Sequence, residues 1–173
     1  MDRDSVKVWD LGVRLFHWCL VAAFATAYLT ADDAEAAHRW AGYAALALVA
    51  CRVVWGFVGS RHARFTDFVP SPRAFARYVA RLLRGRGPRH RGHNPAAAVM
   101  ILFLLAAMVA IGATGWLMAT DWGWGSDALE TLHEGTVELT LVAIAVHVAA
   151  AIVESVRHRE NLVLSMLTGY KRR

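Results

Sequence analysis

Two histidines, His133 and His147, stand fourteen residues apart in one apolar run, LHEGTVELTLVAIAVHV at 132–148. On an α-helix that spacing is nearly four turns, so both imidazoles leave from roughly the same face, about 21 Å apart along the axis. A hydrocarbon core is about 30 Å thick, so a helix crossing a bilayer would carry one histidine near each side. A histidine in lipid is costly unless it faces a bundle interior and meets a partner or a ligand. The question is what these two imidazoles meet.

The surrounding chain supplies the elements. Its 173 residues are 57% hydrophobic, too apolar for an ordinary soluble domain and too few for several domains. Apolar runs at about 11–29, 38–58, 95–118 and 129–156 are each long enough to cross a bilayer. The expected architecture is all-α: one integral membrane four-helix bundle over residues 1–173. The first run resembles a signal peptide only superficially, since Arg14 and His17 interrupt it and its length spans a membrane. The formal charge of +5 would raise nucleic acid as a partner in a soluble protein, but here it is segregated into loops, which indicates membrane topology and no nucleic acid.

The loop from Gly59 to Asn94 holds nine arginines (Arg61, Arg64, Arg73, Arg77, Arg81, Arg84, Arg86, Arg89 and Arg91) against the single acid Asp67. Within it, Ser71 and Pro72 form an N-cap and first-turn pair, and RAFARYVARLLRG follows. Phe75, Val79, Leu82 and Leu83 fall on one face and Arg73, Arg77, Arg81 and Arg84 run beside them, predicting an interfacial amphipathic helix in the headgroup plane. The connectors TADDAEAA at 30–37 and around Asp121, Asp127 and Glu130 are acidic, while Arg157, Arg159, Lys171, Arg172 and Arg173 end the chain. The positive-inside rule then puts both termini and the arginine loop in the cytoplasm. The N-terminal acids Asp2, Asp4 and Asp10 alternate with Arg3, Lys7 and Arg14, and Trp9 is expected at the interface. Cys19 and Cys51 form no CxxC or CxxCH pattern, which excludes covalent haem attachment and a zinc ribbon; they are expected as small buried hydrophobes.

Depth now sorts the remaining histidines. His17 lies about 8 Å into the first span from the inner side and His147 about 13 Å into the fourth, while His38 and His133 open the second and fourth spans at the outer side. Two neutral imidazoles facing each other across a bundle make the axial ligation of a six-coordinate haem. Zinc would want four ligands, and each layer offers two. A lone membrane histidine is commonly just a satisfied polar residue, but four that pair by depth argue for two ligand pairs. His62, His90, His93 and His158 fall in the basic loop or tail and are read as solvated or headgroup-facing.

With RLFHW at 14–18, HRWAGY at 38–43, RVVWGFVGSRHARF at 52–65, GHNPAAA at 92–98 and LHE at 132–134, followed by the histidine fourteen residues later, the chain resembles the bacterial cytochrome b561 family, a group that includes the cytochrome b subunits of nickel-iron hydrogenases. The resemblance implies a multi-pass protein of the bacterial inner membrane holding two non-covalent, bis-histidine b haems. It implies His17 and His147 as ligands of the inner haem iron, and His38 and His133 as ligands of the outer one. The hydrogenase subunits are usually longer, which makes this chain look more like free-standing or cytochrome-c-linked members.

Haem propionates are anionic, and Arg14 and Arg52 are candidates for the inner haem and Arg39 for the outer, against the alternative that they snorkel to headgroups. Glu138, five residues beyond His133, and Glu134 nearer the water are candidate proton acceptors for a quinol, an intramembrane carboxylate being a functional candidate by default. The expected function is electron transfer between the quinone pool (ubiquinone or menaquinone) and a c-type cytochrome or redox enzyme subunit. Two alternatives stand beside it: a haem-bearing membrane anchor that docks a redox enzyme, and an intramembrane metal or proton transporter. The transporter needs a polar path between the layers, and Leu139 to Val146 supplies one threonine. The sequence leaves the oligomeric state open, a dimer included.

Overall fold

The computed structural model describes residues 5–90 and 92–172; Asp2, Arg3, Asp4, Arg91 and Arg173 lie outside them. The chain is mostly helical. Four helices are long and apolar enough to cross a membrane: α1 (Leu11–Leu29), α2 (Glu35–Val58), α5 (Pro95–Met118) and α6 (Asp127–His158). Between α2 and α5 come a single 3-10 turn at Arg61–Ala63, α3 (Phe65–Phe68) and α4 (Pro72–Leu83); α7 (Leu162–Thr168) follows α6, and two short strands, β1 (Ser5–Lys7) and β2 (Tyr170–Arg172), close the two ends.

Bounds of α1 and α5 coincide with the apolar runs. The second span begins earlier than expected, at Glu35 rather than His38, because Glu35 adds an acid to the first turn, where it complements the helix dipole. The fourth extends to Asp127 and His158 for the same reason at both ends, with Asp127 and Glu130 in its first turn and Arg157 and His158 in its last. Asn94 caps α5 as its sequence suggests, its Oδ1 accepting from the Ala97 amide at 2.8 Å.

Two compact units divide the chain. One comprises Met1–Arg14, Val54–Leu102 and Ala145–Arg173, the other Leu15–Val53 and Phe103–Ile144. The first unit gathers both ends of the chain and the arginine loop. β1 pairs antiparallel with β2, Val6 opposite Lys171. The Val8 and Trp9 amides donate to the Gly169 carbonyl at 2.9 and 3.1 Å. Gly169 ends α7 with φ +89°, and a Cβ there would lie 2.7 Å from the Trp9 carbonyl oxygen, so only glycine suits both the turn and the approach. Trp9 is not at an interface; it is buried in a small core with Val8, Val13 and Ala63, and its indole N–H donates to Ser165. The Lys171 ammonium lies 5.2 Å from the centre of that ring, and burial pulls its pKa down despite the opposing charge of Glu160.

The loop and tail histidines are not free in solvent. His93 packs against Trp9 and Phe68, ring centres 4.5 and 5.0 Å away; His62 pairs with Asp67 and His158 with Glu154; His90 meets the Tyr78 ring edge-on. A basic loop repels itself, and folding it compactly recruits every aromatic and carboxylate within reach. Cys19 and Cys51 are free and exposed rather than buried, since the outer surface of an apolar span accepts a small thiol as readily as its core does.

Asp10 joins the start of α1 to the end of α2 by accepting from Ser60, from the Trp55 indole and from the Val13 amide. Burial alone would raise its pKa, but these donors outweigh it and hold the carboxyl below 3.8. A depressed carboxylate stabilises the fold fully above its unfolded pKa, and that stability is lost as pH falls through the folded one. The unfolding midpoint of the Trp9 core, followed by tryptophan fluorescence in denaturant, should therefore be lower in Asp10→Asn than in the wild type from pH 7 to pH 5. The two should converge once pH has fallen through the depressed pKa of Asp10; a gap unchanged at the lowest pH would refute this role.

Candidate functional site

The second unit carries the histidine pair. His38 sits one turn into α2 and His133 nearly two turns into α6. Their ring centres are 6.2 Å apart and the ring planes cross at 68°.

Each ring is fixed through Nδ1. Helix α1 stops at Leu29, and its final carbonyls have no amide four residues on to bond. One of them, the Ala27 oxygen, accepts from His38 Nδ1 at 2.8 Å. A carbonyl only accepts, so the His38 proton is on Nδ1 and the Nε2 lone pair is free to ligate.

His133 Nδ1 lies 3.0 Å from the Thr114 hydroxyl of α5. That hydroxyl donates its own proton back to the Ala110 carbonyl at 2.8 Å, so its oxygen accepts from Nδ1–H and His133 also keeps Nε2 for a metal. Gly115, beside Thr114, makes room for the ring: a Cβ there would stand 3.2 Å from His133 Cε1. Neither Thr114 nor Gly115 was singled out in the sequence. The available signal was a small residue beside a hydroxyl in an α5 otherwise filled with aliphatics.

These donors fit a haem iron. Two metal–imidazole bonds of about 2.0–2.1 Å, plus the half-ring behind each nitrogen, put the ring centres near the 6.2 Å observed. Among the described residues no group of three or more histidines, cysteines, aspartates or glutamates is placed to hold a metal ion. Thr140 of α6 is fully buried and donates to the Thr136 carbonyl of its own helix.

The other expected site residues fall as follows. His17 is half-buried on α1, its ring edge-on to Trp18 at 5.1 Å. Arg52, on α2, is buried at 4% exposure. His147 is half-buried on the part of α6 that belongs to the first unit. Arg14, in the first unit, donates to the Leu167 carbonyl in the last turn of α7, where a cation complements the helix dipole. Arg39 forms an exposed pair with Glu35 at 3.3 Å, and a pair so exposed stabilises little. Glu134 and Glu138 are exposed, roughly 100° and 140° around α6 from His133, so neither points where the ligand does.

Comparison with known proteins bears on the whole chain. A family model described as prokaryotic cytochrome b561 matches residues 8–169. The chain is similar to the probable Ni/Fe-hydrogenase B-type cytochrome subunit of Rhodobacter capsulatus, at 27% identity over 98% of this chain and 82% of that protein. It is likewise similar to the proteins of the same name from Rhizobium leguminosarum bv. viciae, at 25% over 98% and 90%, and Cupriavidus necator, at 28% over 96% and 87%. No solved structure matches. With the match running from the Trp9 core to Gly169 and taking in all four spans, the chain belongs to the prokaryotic cytochrome b561 family: it is a multi-pass membrane protein of electron transfer that binds haem b.

Proposed function

We propose that the chain carries two b haems, one on His38 and His133 toward the outside and one on His17 and His147 toward the cytoplasm, and links the quinone pool to a redox enzyme subunit. The observation that carries this reading is the pair His38 and His133: two imidazoles with centres 6.2 Å apart, each with Nδ1 engaged by protein. The inner pair rests on the depth of His17 and His147 in the sequence. The names of the relatives, hydrogenase B-type cytochrome subunits, favour an enzyme subunit over a free c-type cytochrome as partner.

Haem b, when bound, supplies an iron that changes oxidation state by one electron. The residues of the chain do the rest. The paired histidines would hold the haem irons, His38 with His133 and His17 with His147, and the chemistry supplied there would be electron transfer. Ala27 and Thr114 hold the imidazole tautomers and raise ligand basicity. The apolar spans exclude water. Glu134 and Glu138 lie on the exposed side of α6, within reach of a quinol arriving from lipid, and would accept its protons there.

Pairing of β1 with β2 supports a common side for both termini. Their company with the arginine loop in one unit supports the cytoplasm as that side.

A reduced-minus-oxidised visible spectrum with a pyridine haemochrome assay tests the pairing. Two haems per chain are expected, His38→Ala and His133→Ala removing the same one and His17→Ala and His147→Ala the other. Loss of different haems from His38→Ala and His133→Ala, or a colourless protein made with ample haem, would sink the proposal.

Thr114→Val should weaken haem retention at the outer site by roughly 10–100-fold, as loss of a ligand's supporting hydrogen bond does, and Thr114→Ser should restore it. A haem titration of the apoprotein gives the affinity. Equal affinities in the Val and Ser variants would leave Thr114 a packing residue only.

A further inference from the structure

The arginine loop has a use that the haem sites do not absorb. Helix α4 is amphipathic as its sequence indicates, but its apolar side is turned into its own unit. Tyr78 is buried with its edge on His90, ring centres 5.6 Å apart; burial and then the charge of Glu154 hold its phenol pKa up. Phe75, Val79 and Leu82 are half-buried alongside. Just beyond the helix, Arg157 of α6 donates to the Gly85 carbonyl at 3.0 Å. The helix is therefore anchored by protein and has no need of the membrane interior for its apolar face.

That anchoring leaves Arg73, Arg77, Arg81 and Arg84 exposed. Their positions follow one line on the helix, within about 80° of rotation and about 16 Å of length. Among the described residues no carboxylate is paired with any of the four; Asp67, the sole acid of the loop, is taken by Arg61 and His62. Four guanidinium groups so close repel one another unless anions lie among them. Leu83, at 83% exposure, stands beside this row, and α7 of the same unit exposes Val163, Leu164 and Leu167. Guanidinium groups flanked by bare aliphatics are suited to a phosphate with acyl chains next to it, and poorly suited to an acidic protein face, which would leave the aliphatics in water.

We infer that the arginine row of α4 is a binding surface for anionic phospholipid, its guanidinium groups gripping headgroup phosphates while Leu83 meets the acyl boundary. The inference rests on the proposed placement of this unit at the cytoplasmic leaflet, whose lipids are anionic, and is independent of the haem ligands and of quinone.

The test is native mass spectrometry of the detergent-purified holoprotein titrated with phosphatidylglycerol or phosphatidylcholine. The wild type is expected to retain phosphatidylglycerol preferentially. The quadruple variant Arg73→Gln, Arg77→Gln, Arg81→Gln, Arg84→Gln should lose that retention by about tenfold or more, while the corresponding lysine variant keeps most of it. Equal retention of the two lipids by the wild type, or undiminished phosphatidylglycerol binding in the glutamine variant, overturns the inference. So does a glutamine variant that keeps its lipid and loses a co-purifying acidic protein.

If the glutamine variant does not insert, the wild type alone decides. Its phosphatidylglycerol retention must fall as salt is raised toward molar strength, where the screening length shrinks from about 10 Å to about 3 Å, and salt-independent retention overturns the inference equally. The haem spectrum of each sample, recorded in parallel, separates a failure of the lipid surface from a failure of the haem reading.

Discussion

An imidazole carried into a hydrocarbon layer has two nitrogens to satisfy and no water to do it with. The outer site follows from that constraint. Helix α1 ends where it does, and so presents the Ala27 carbonyl to His38; α5 brings Thr114 to His133. Each contact uses one nitrogen and so determines which remains. A ring left with both nitrogens idle would cost several kcal/mol in lipid, and a ring with both engaged by protein would have nothing to offer a metal. The observed arrangement avoids both.

This gives α5 a role that its composition conceals. It has no histidine and no charge, and its 24 residues form the most apolar of the four spans. Yet it supplies the hydroxyl that sets the His133 tautomer and, at Gly115, the gap that admits the ring. Thr114 can accept from His133 because its proton returns to the Ala110 carbonyl; a bond back to its own helix, often only a neutral way to bury a threonine, here orients an imidazole. Gly112, three residues earlier, gives Leu46 of α2 similar room, since a Cβ there would come within 2.9 Å of it. Close packing of α2, α5 and α6 thus serves the histidine geometry directly.

The sequence made legible what depends on long runs and rare residues. Four spans emerged because a bilayer demands about twenty apolar residues for each, and the His38–His133 pairing because polar residues at one depth must find one another. The two three-residue strands were not legible: elements so short carry no periodicity, and pairing Val6 with Lys171 joins opposite ends of the chain. Trp9 and His93 were misjudged for a related reason. Tryptophan near a span and histidine in a basic loop both suggest the interface when each is considered alone, and only the fold shows them stacked 4.5 Å apart. Exposure of Glu138 was equally out of reach, because helical phase gives a direction on α6 only once the inward direction is known.

Charge counting, too, understates how one-sided the first unit is. Among the described residues its acids have partners: Asp10 with Ser60 and Trp55, Glu160 with Arg89 and the Arg172 amide, Glu154 with Arg157 and His158. Glu154 and Glu160 offset the cations they pair with, while Asp10, bonded only to neutral donors, keeps its charge. The arginines of α4, by contrast, project outward. A formal charge of +5 for the whole chain is unevenly shared along it: the arginine loop belongs to this unit and the acidic connectors to the other. That separation of sign along the sequence, more than the net value, is what orients such a chain in a bilayer.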